Sequence, residues 1–120
     1  MRLVSVERDP ERARRAAEVF TGRPEVTVLT GDWRRIEEYG PFDLLVLDGG
    51  GQGKAPGDAP ADVERLLAPG GTVVVDDFTP AAGWPPLHEG RVDRARLHWL
   101  EHPVYKRQDL SAVVGTRVLV

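Results

Sequence analysis

Three aspartates, Asp48, Asp76 and Asp77, have the types and spacing in this 120-residue chain that most directly suggest chemistry. Each follows a short apolar run, Phe42 to Leu47 before the first and Thr72 to Val75 before the pair, so each falls at the end of a predicted strand. Three carboxylates at adjacent strand ends suit a hard divalent cation and repel one another without it. Glu7, after Leu3-Val4-Ser5-Val6, and Asp32, after Val26 to Gly31, stand in the same kind of position, with Trp33 next to Asp32. His88, His98 and His102 are bases by residue type. His98 and His102 are four apart on or beside a helix, but no acid motif accompanies them, and packing or capping is the expected role. His88 lies in a proline-rich loop with Trp84; it is the better base, and Trp84 either lines an apolar pocket or anchors the loop.

Other chemistries are excluded on the same grounds. Gly49-Gly50-Gly51-Gln52-Gly53-Lys54 fails the phosphate-loop spacing at its first glycine, and Ala55 stands where a hydroxyl is required. A receiver domain would carry its acidic pair after the first strand and a lysine-proline after the fifth; here the pair comes late and Lys106 precedes Arg107. With no cysteine, a disulfide framework, a thiolate metal site and a cysteine nucleophile are all ruled out.

The elements that must position these side chains are legible from periodicity. Asp9 and Pro10 start a helix in which Ala13, Ala16, Ala17 and Phe20 form one apolar stripe, and Gly22 ends it. Val26 to Leu29 is a second strand, Trp33 to Tyr39 a short helix, and Phe42 to Leu47 an apolar run that reads as a central strand covered on both faces. Asp62 to Ala68 is helical, Pro69-Gly70-Gly71 stops it, and Thr72 to Val75 is the next strand. An irregular loop from Thr79 to Gly90 precedes a helix over Arg91 to Glu101, which Pro103 breaks. Val104 to Leu110 and Ala112 to Val120 are joined too tightly for a parallel crossover and are expected to pair antiparallel. The alternation β-α-β-α-β-α-β predicts a single α/β domain over residues 1–120, a mostly parallel sheet with helices on its faces. Such sheets bind ligands at the carboxyl ends of their strands, where all of these acids fall.

Composition fits this picture: 41% hydrophobic and 29% charged residues are ordinary for a soluble globular chain. No apolar run approaches the roughly 18 residues of a membrane span, and the charged start is unlike a signal peptide. The expectation is a cytoplasmic protein with no membrane association. Net charge is −3 with basic residues scattered among acids, which argues against nucleic acid and for a small-molecule partner.

Order and punctuation together resemble the class I S-adenosylmethionine-dependent methyltransferases, particularly the small-molecule O-methyltransferase branch that includes catechol and caffeoyl-CoA enzymes. The resemblance rests on Val4-Ser5-Val6-Glu7-Arg8-Asp9-Pro10-Glu11, Gly31-Asp32, Phe42-Asp43-Leu44-Leu45-Val46-Leu47-Asp48-Gly49 and Leu67-Ala68-Pro69-Gly70-Gly71-Thr72-Val73-Val74-Val75-Asp76-Asp77, and on the terminal hairpin. It implies a Rossmann-like fold in which residue 1 falls at the start of the family's second strand, so that the first strand of the usual seven and its glycine-rich turn are not among these residues.

By that resemblance Glu7 accepts hydrogen bonds from both ribose hydroxyls of S-adenosylmethionine, Asp32 takes the adenine amino group, Trp33 lies near the adenine face, and Asp48 adjoins the cofactor. The alternatives are a surface acid for Glu7, a helix cap for Asp32 and core packing for Trp33. In metal-dependent members an aspartate and an Asp-Asn pair hold magnesium or calcium; here Asp48 and the pair Asp76-Asp77 stand at those places, and aspartate for asparagine keeps an oxygen ligand. Otherwise Asp48 orients cofactor or substrate and Asp77 caps the next loop. The family's lysine three positions after the first aspartate is unmatched, since Gly51 stands there and Lys54 comes later. Asp48 and His88 remain the candidate catalytic residues.

In the family, the absent first strand lies between the second and the fourth. Strands beginning at Leu3 and Phe42 must then pair directly, or a second copy or partner chain supplies a strand, or the 120 residues are a fragment or begin at a wrongly placed start. The complete form is expected to methylate an oxygen of a small molecule; the rival is a noncatalytic binding protein of the same fold.

Overall fold

The computed structural model describes residues 1–78, 83–102, 105–109 and 113–117, which fall into two compact units, Met1–Gly40 and Pro41–Val120. Of the sequence expectations, Thr79, Pro80, Pro103, Val104, Leu110, Ala112 and residues 118–120 lie outside the described residues.

In the first unit β1 (Leu3–Glu7) pairs in parallel with β2 (Val26–Thr30), connected by α1 (Pro10–Val19). The helix starts where the sequence says it should: the Asp9 carboxylate accepts the N–H groups of Glu11 (2.9 Å) and Arg12 (3.4 Å), and Pro10 fills the first turn. After Phe20 the chain reverses through Gly22, whose φ of 83° lies in the region open to glycine. A 3-10 helix, Trp33–Glu38, closes the unit. The predicted α1 stripe is only half used. Ala13 is buried and Ala16 half-buried, whereas Ala17 and Phe20 are exposed. Ala13 and Ile36 are the buried apolar residues of these forty, too small a core for so short a segment to stand alone.

The second unit runs β3 (Phe42–Leu47), α2 (Val63–Leu66), β4 (Leu67–Val75), β5 (Leu87–His88), β6 (Arg91–Val92), α3 (Arg94–Leu100), β7 (Tyr105–Asp109) and β8 (Val113–Arg117). One sheet has the order β3-β4-β8-β7, with β3 and β4 parallel and the predicted C-terminal pair antiparallel; β5 and β6 form a separate small hairpin. Its core gathers Leu45, Leu47, Val63, Leu66, Leu67, Val73, Val75, Phe78, Trp99 and Leu100. Three boundaries move. The helix before β4 is a single turn, because Leu67 already pairs with Phe42, and the Pro69-Gly70-Gly71 segment is an irregularity within the strand. A Cβ on Gly71 would lie 2.8 Å from the Phe42 carbonyl oxygen, so only glycine lets the strands approach there. Arg91 and Val92 belong to the hairpin with Leu87 and His88, which delays α3 to Arg94.

The larger correction concerns Phe42 to Leu47. Leu45 and Leu47 are buried, but Leu44 and Val46 are 60% and 57% exposed, and β3 is the terminal strand of its sheet. An unbroken apolar run does not by itself say how many faces are covered; here side chains alternate between a packed face and an open one. Nor does β1 pair with β3: they belong to different sheets among the described residues. A strand edge that takes no partner among the described residues, beside an exposed apolar face, is a template for association. Replacing Leu44 and Val46 with lysine is therefore expected to bring the light-scattering mass of concentrated protein down towards that of a monomer. An unchanged mass would show that this face drives no association.

Candidate functional site

The acids of the first unit sit at the carboxyl ends of its two parallel strands. Glu7 is in register with Thr30, and the Gly31 N–H continues the ladder to the Glu7 main-chain carbonyl at 3.0 Å. One Glu7 carboxylate oxygen, Oε1, accepts the Asp9 N–H at 3.0 Å; the other takes no hydrogen bond among the described residues. Asp32, immediately after, is engaged by Arg34. Its Oδ1 accepts the Arg34 N–H at 2.9 Å, and both oxygens accept Arg34 Nη1 at 3.1 Å. That main-chain bond first, then the Arg34 side chain and the charges of Arg34 and Arg8, hold the Asp32 carboxyl below the usual range. The same guanidinium lies 4.9 Å from the centre of the Trp33 ring, so one indole face carries a cation. Asp32 thus caps the 3-10 helix, and Arg34, which sequence reasoning did not single out, ties Asp32 to Trp33.

In the second unit the last β3-β4 pair is Leu47 with Val75, and the Asp76 N–H donates to the Leu47 carbonyl at 2.9 Å. Asp48, Asp76 and Asp77 leave the sheet together, each offering one carboxylate oxygen within 4.8 Å of the others. Asp77 has a φ of 66°, a left-handed conformation that aspartate tolerates better than most residues and that recurs at working sites. The loop after β3 folds back over these strand ends. Gln52, buried, donates its Nε2 to the main-chain carbonyls of Asp48 (2.8 Å) and Asp76 (3.4 Å), and Lys54 Nζ donates to the Asp77 carbonyl. Lys54 also stands 5.3 Å from the centre of the Phe78 ring.

Next to Asp77 is a cleft of about 380 Å³ lined by Lys54, Asp77, His88, Val92, Asp93 and Arg94 among others. Here the structure brings His88 to the same cleft as Asp77. His88 is on the β5-β6 hairpin, with Nε2 3.7 Å from the Glu89 carboxylate. Trp84 is 61% exposed. His98 and His102 pack around Trp99, ring centres 5.1 Å and 6.3 Å from it. Burial, with His98 adding to it, holds the His102 imidazole below the usual histidine range, against the pull of Glu64 and Asp62.

Gln52 was overlooked in the sequence, although a signal existed: a lone polar side chain inside a glycine run. Gly51 and Gly53 on either side of it have φ of 78° and 80°, and a Cβ on Gly53 would come 2.7 Å from Pro60 Cγ.

The carboxylate spacing can be tested against ion size. Two oxygens sharing a calcium at 2.3–2.6 Å lie at most about 5.2 Å apart, whereas magnesium at 2.0–2.1 Å allows only about 4.2 Å. Those limits hold for a pair facing each other across the ion; three oxygens each 4.8 Å from the others would stand about 2.8 Å from a common centre, so either ion needs some closure of the side chains, calcium less than magnesium.

No family model and no curated protein matches the chain. Solved structures do. Cofactor-bound Rv0187 from MTB superposes with a TM-score of 0.69 at 20% identity, over 98% of this chain and 61% of that one. A methyltransferase from Geobacter sulfurreducens gives 0.66 at 18% identity, over 98% and 59%. The O-methyltransferase TomG from Streptomyces achromogenes, in complex with SAM, gives 0.62 at 18% identity, over 99% and 62%. At these identities the likeness is one of fold: the chain has the Rossmann-like α/β fold of methyltransferases, with the expected C-terminal antiparallel hairpin. It spans about three fifths of the length of these structures. Among the described residues no helix is long and apolar enough to cross a membrane.

Proposed function

We propose that this chain belongs to a cytoplasmic enzyme that transfers a methyl group from S-adenosylmethionine to an oxygen of a small molecule. The observation that carries the reading is the placement of Glu7, Asp32, Asp48, Asp76 and Asp77 at the carboxyl ends of parallel strands, in a fold shared with cofactor-bound methyltransferases. Glu7, with a carboxylate oxygen still open, accepts the ribose hydroxyls. Trp33 offers a stacking surface to the adenine, and Asp32 accepts its amino group beside the Arg34 bonds. When bound, S-adenosylmethionine supplies an electrophilic methyl group on a sulfonium.

Asp48, Asp76 and Asp77 would hold a divalent cation, calcium needing less closure of the side chains than magnesium. When bound, the ion draws acceptor hydroxyls and favours their ionised form. His88, which lines the cleft with Asp77, is the residue that accepts the hydroxyl proton in this reading. The displacement itself depends on alignment of donor and acceptor, which is the task of these strand ends.

A second reading, a noncatalytic binding protein of this fold, is favoured by the terminal position of β3, to whose edge a second copy or a partner strand would add, and by the exposed Leu44 and Val46 on its face. One experiment separates the two. The chain is joined at Met1 to the strand, glycine-rich turn and helix of a solved methyltransferase and assayed with labelled S-adenosylmethionine and small catechols, with and without calcium or magnesium. Transfer is expected, lowered about 10-fold or more by Glu7→Ala and, with the ion present, by Asp48→Asn. A folded chimera that binds S-adenosylhomocysteine yet transfers nothing to any hydroxylated acceptor would favour the noncatalytic reading.

A further inference from the structure

We infer that Gln52 is the positioning residue of this site, setting the separation of the two strand ends that carry Asp48 and Asp76-Asp77. The inference rests on the reading that these strand ends are the working site. Backbone pairing between β3 and β4 stops at the Asp76 N–H bond to Leu47, so the main-chain carbonyls of Asp48 and Asp76 lie past the ladder. One amide group takes both, at 2.8 and 3.4 Å, and thereby replaces the next rung of the sheet with a side chain. Gln52 is in turn fixed from behind: its own main-chain carbonyl accepts the Trp99 indole N–H at 2.9 Å, and the Ala61 N–H closes the loop on the Gly51 carbonyl at 2.8 Å.

The residue type follows from the geometry. Two acceptors need two N–H donors on one atom, which glutamate and leucine lack, and asparagine is one methylene shorter. The turn on each side needs glycine, since Gly51 and Gly53 both have positive φ. The glycine run therefore presents a single inward side chain and has nothing to do with phosphate. Main-chain carbonyls engaged in this way leave the carboxylates of Asp48 and Asp76 to face a ligand, as partners behind metal-binding and catalytic groups do elsewhere.

The test uses the isotope-labelled 120-residue chain and Gln52→Leu and Gln52→Glu variants, read by NMR and by titration with calcium alone. The main-chain carbonyl resonances of Asp48 and Asp76 are expected to move, and exchange of the Asp76 amide proton to quicken about 10-fold while that of Val73 holds. Calcium affinity is expected to fall by about 10–100-fold. Unmoved carbonyl resonances in a folded variant overturn the proposal, as does exchange that quickens equally at Val73, which would mean general loosening. Should both variants fail to fold, Trp99→Phe frees the Gln52 carbonyl while keeping a ring: the same two resonances move if the proposal holds and stay if it does not. A parent chain that takes no calcium overturns the cation reading alone, because the carbonyl and exchange measurements need no ion.

Discussion

S-adenosylmethionine is expected to bind the 120-residue chain with a Kd above about 1 mM in calorimetry, and the chimera described above at least about 100-fold more tightly, a gain of roughly 2.7 kcal/mol. The reason lies in what these residues offer each end of the cofactor. For the nucleoside end there is a strand-end carboxylate with an open oxygen, an indole surface and a capping aspartate. For the charged methionine end a fold of this kind relies on main-chain N–H groups in a glycine-rich turn after a strand. Among these 120 residues the turn that follows the strand ending at Glu7 is Arg8-Asp9-Pro10, in which the Asp9 carboxylate already takes the N–H groups of Glu11 and Arg12. An acid and a proline at that turn are the opposite of an anion cradle. Micromolar binding by the monomeric 120-residue chain would sink this argument.

How much of this could be read from residues alone differs by element, for physical reasons. Local signals held wherever the determining contacts are local: Asp9 and Pro10 start α1, Asp32 begins the 3-10 helix, and the short connection between the last two strands makes them antiparallel. The strand-end acids were legible because an apolar run followed by an acid is itself a local pattern. What failed was everything that depends on the number of neighbours. Phe42 to Leu47 and the α1 stripe have the composition of buried surfaces, yet Leu44, Val46, Ala17 and Phe20 are exposed, because burial is decided by what packs against an element. Leu67 begins β4 instead of ending a helix, since its pairing with Phe42 spans 25 residues and no window sees it. Gln52 and Arg34 were missed for a related reason. Gln52 acts through a bond to Asp76, 24 residues on, whose partner is defined only once the strand ends are formed, and Arg34 bonds the nearby Asp32 in a pattern that nothing in residue type alone marks out.

Trp99→Ala is expected to unfold most of the second unit near 37 °C, whereas Trp99→Phe should leave it folded. Trp99 is fully buried on the seven-residue helix α3, with the His98 and His102 rings against it. Truncating a buried tryptophan to alanine costs about 3–5 kcal/mol in lost transfer energy and cavity. Stranding the buried Gln52 carbonyl adds about 1–3 kcal/mol. Against the roughly 5–15 kcal/mol that separates a folded domain from its unfolded chain, the sum of about 4–8 kcal/mol is a large share of the stability. At about 4–8 °C per kcal/mol for a unit of this size, the thermal midpoint should fall by at least about 15 °C, with loss of near-ultraviolet circular dichroism. A drop under about 5 °C would show that the helix contributes little to the core. Phenylalanine keeps most of the ring and loses the indole N–H, so it isolates the bond to Gln52 at a cost of about 1–3 kcal/mol. The two substitutions thus divide one residue into its parts: the ring holds the fold, and the single N–H anchors the loop that sets the strand ends. If calcium binding weakens in Trp99→Phe while the fold persists, the bond from Trp99 to the Gln52 carbonyl links the core of the second unit to its acidic edge.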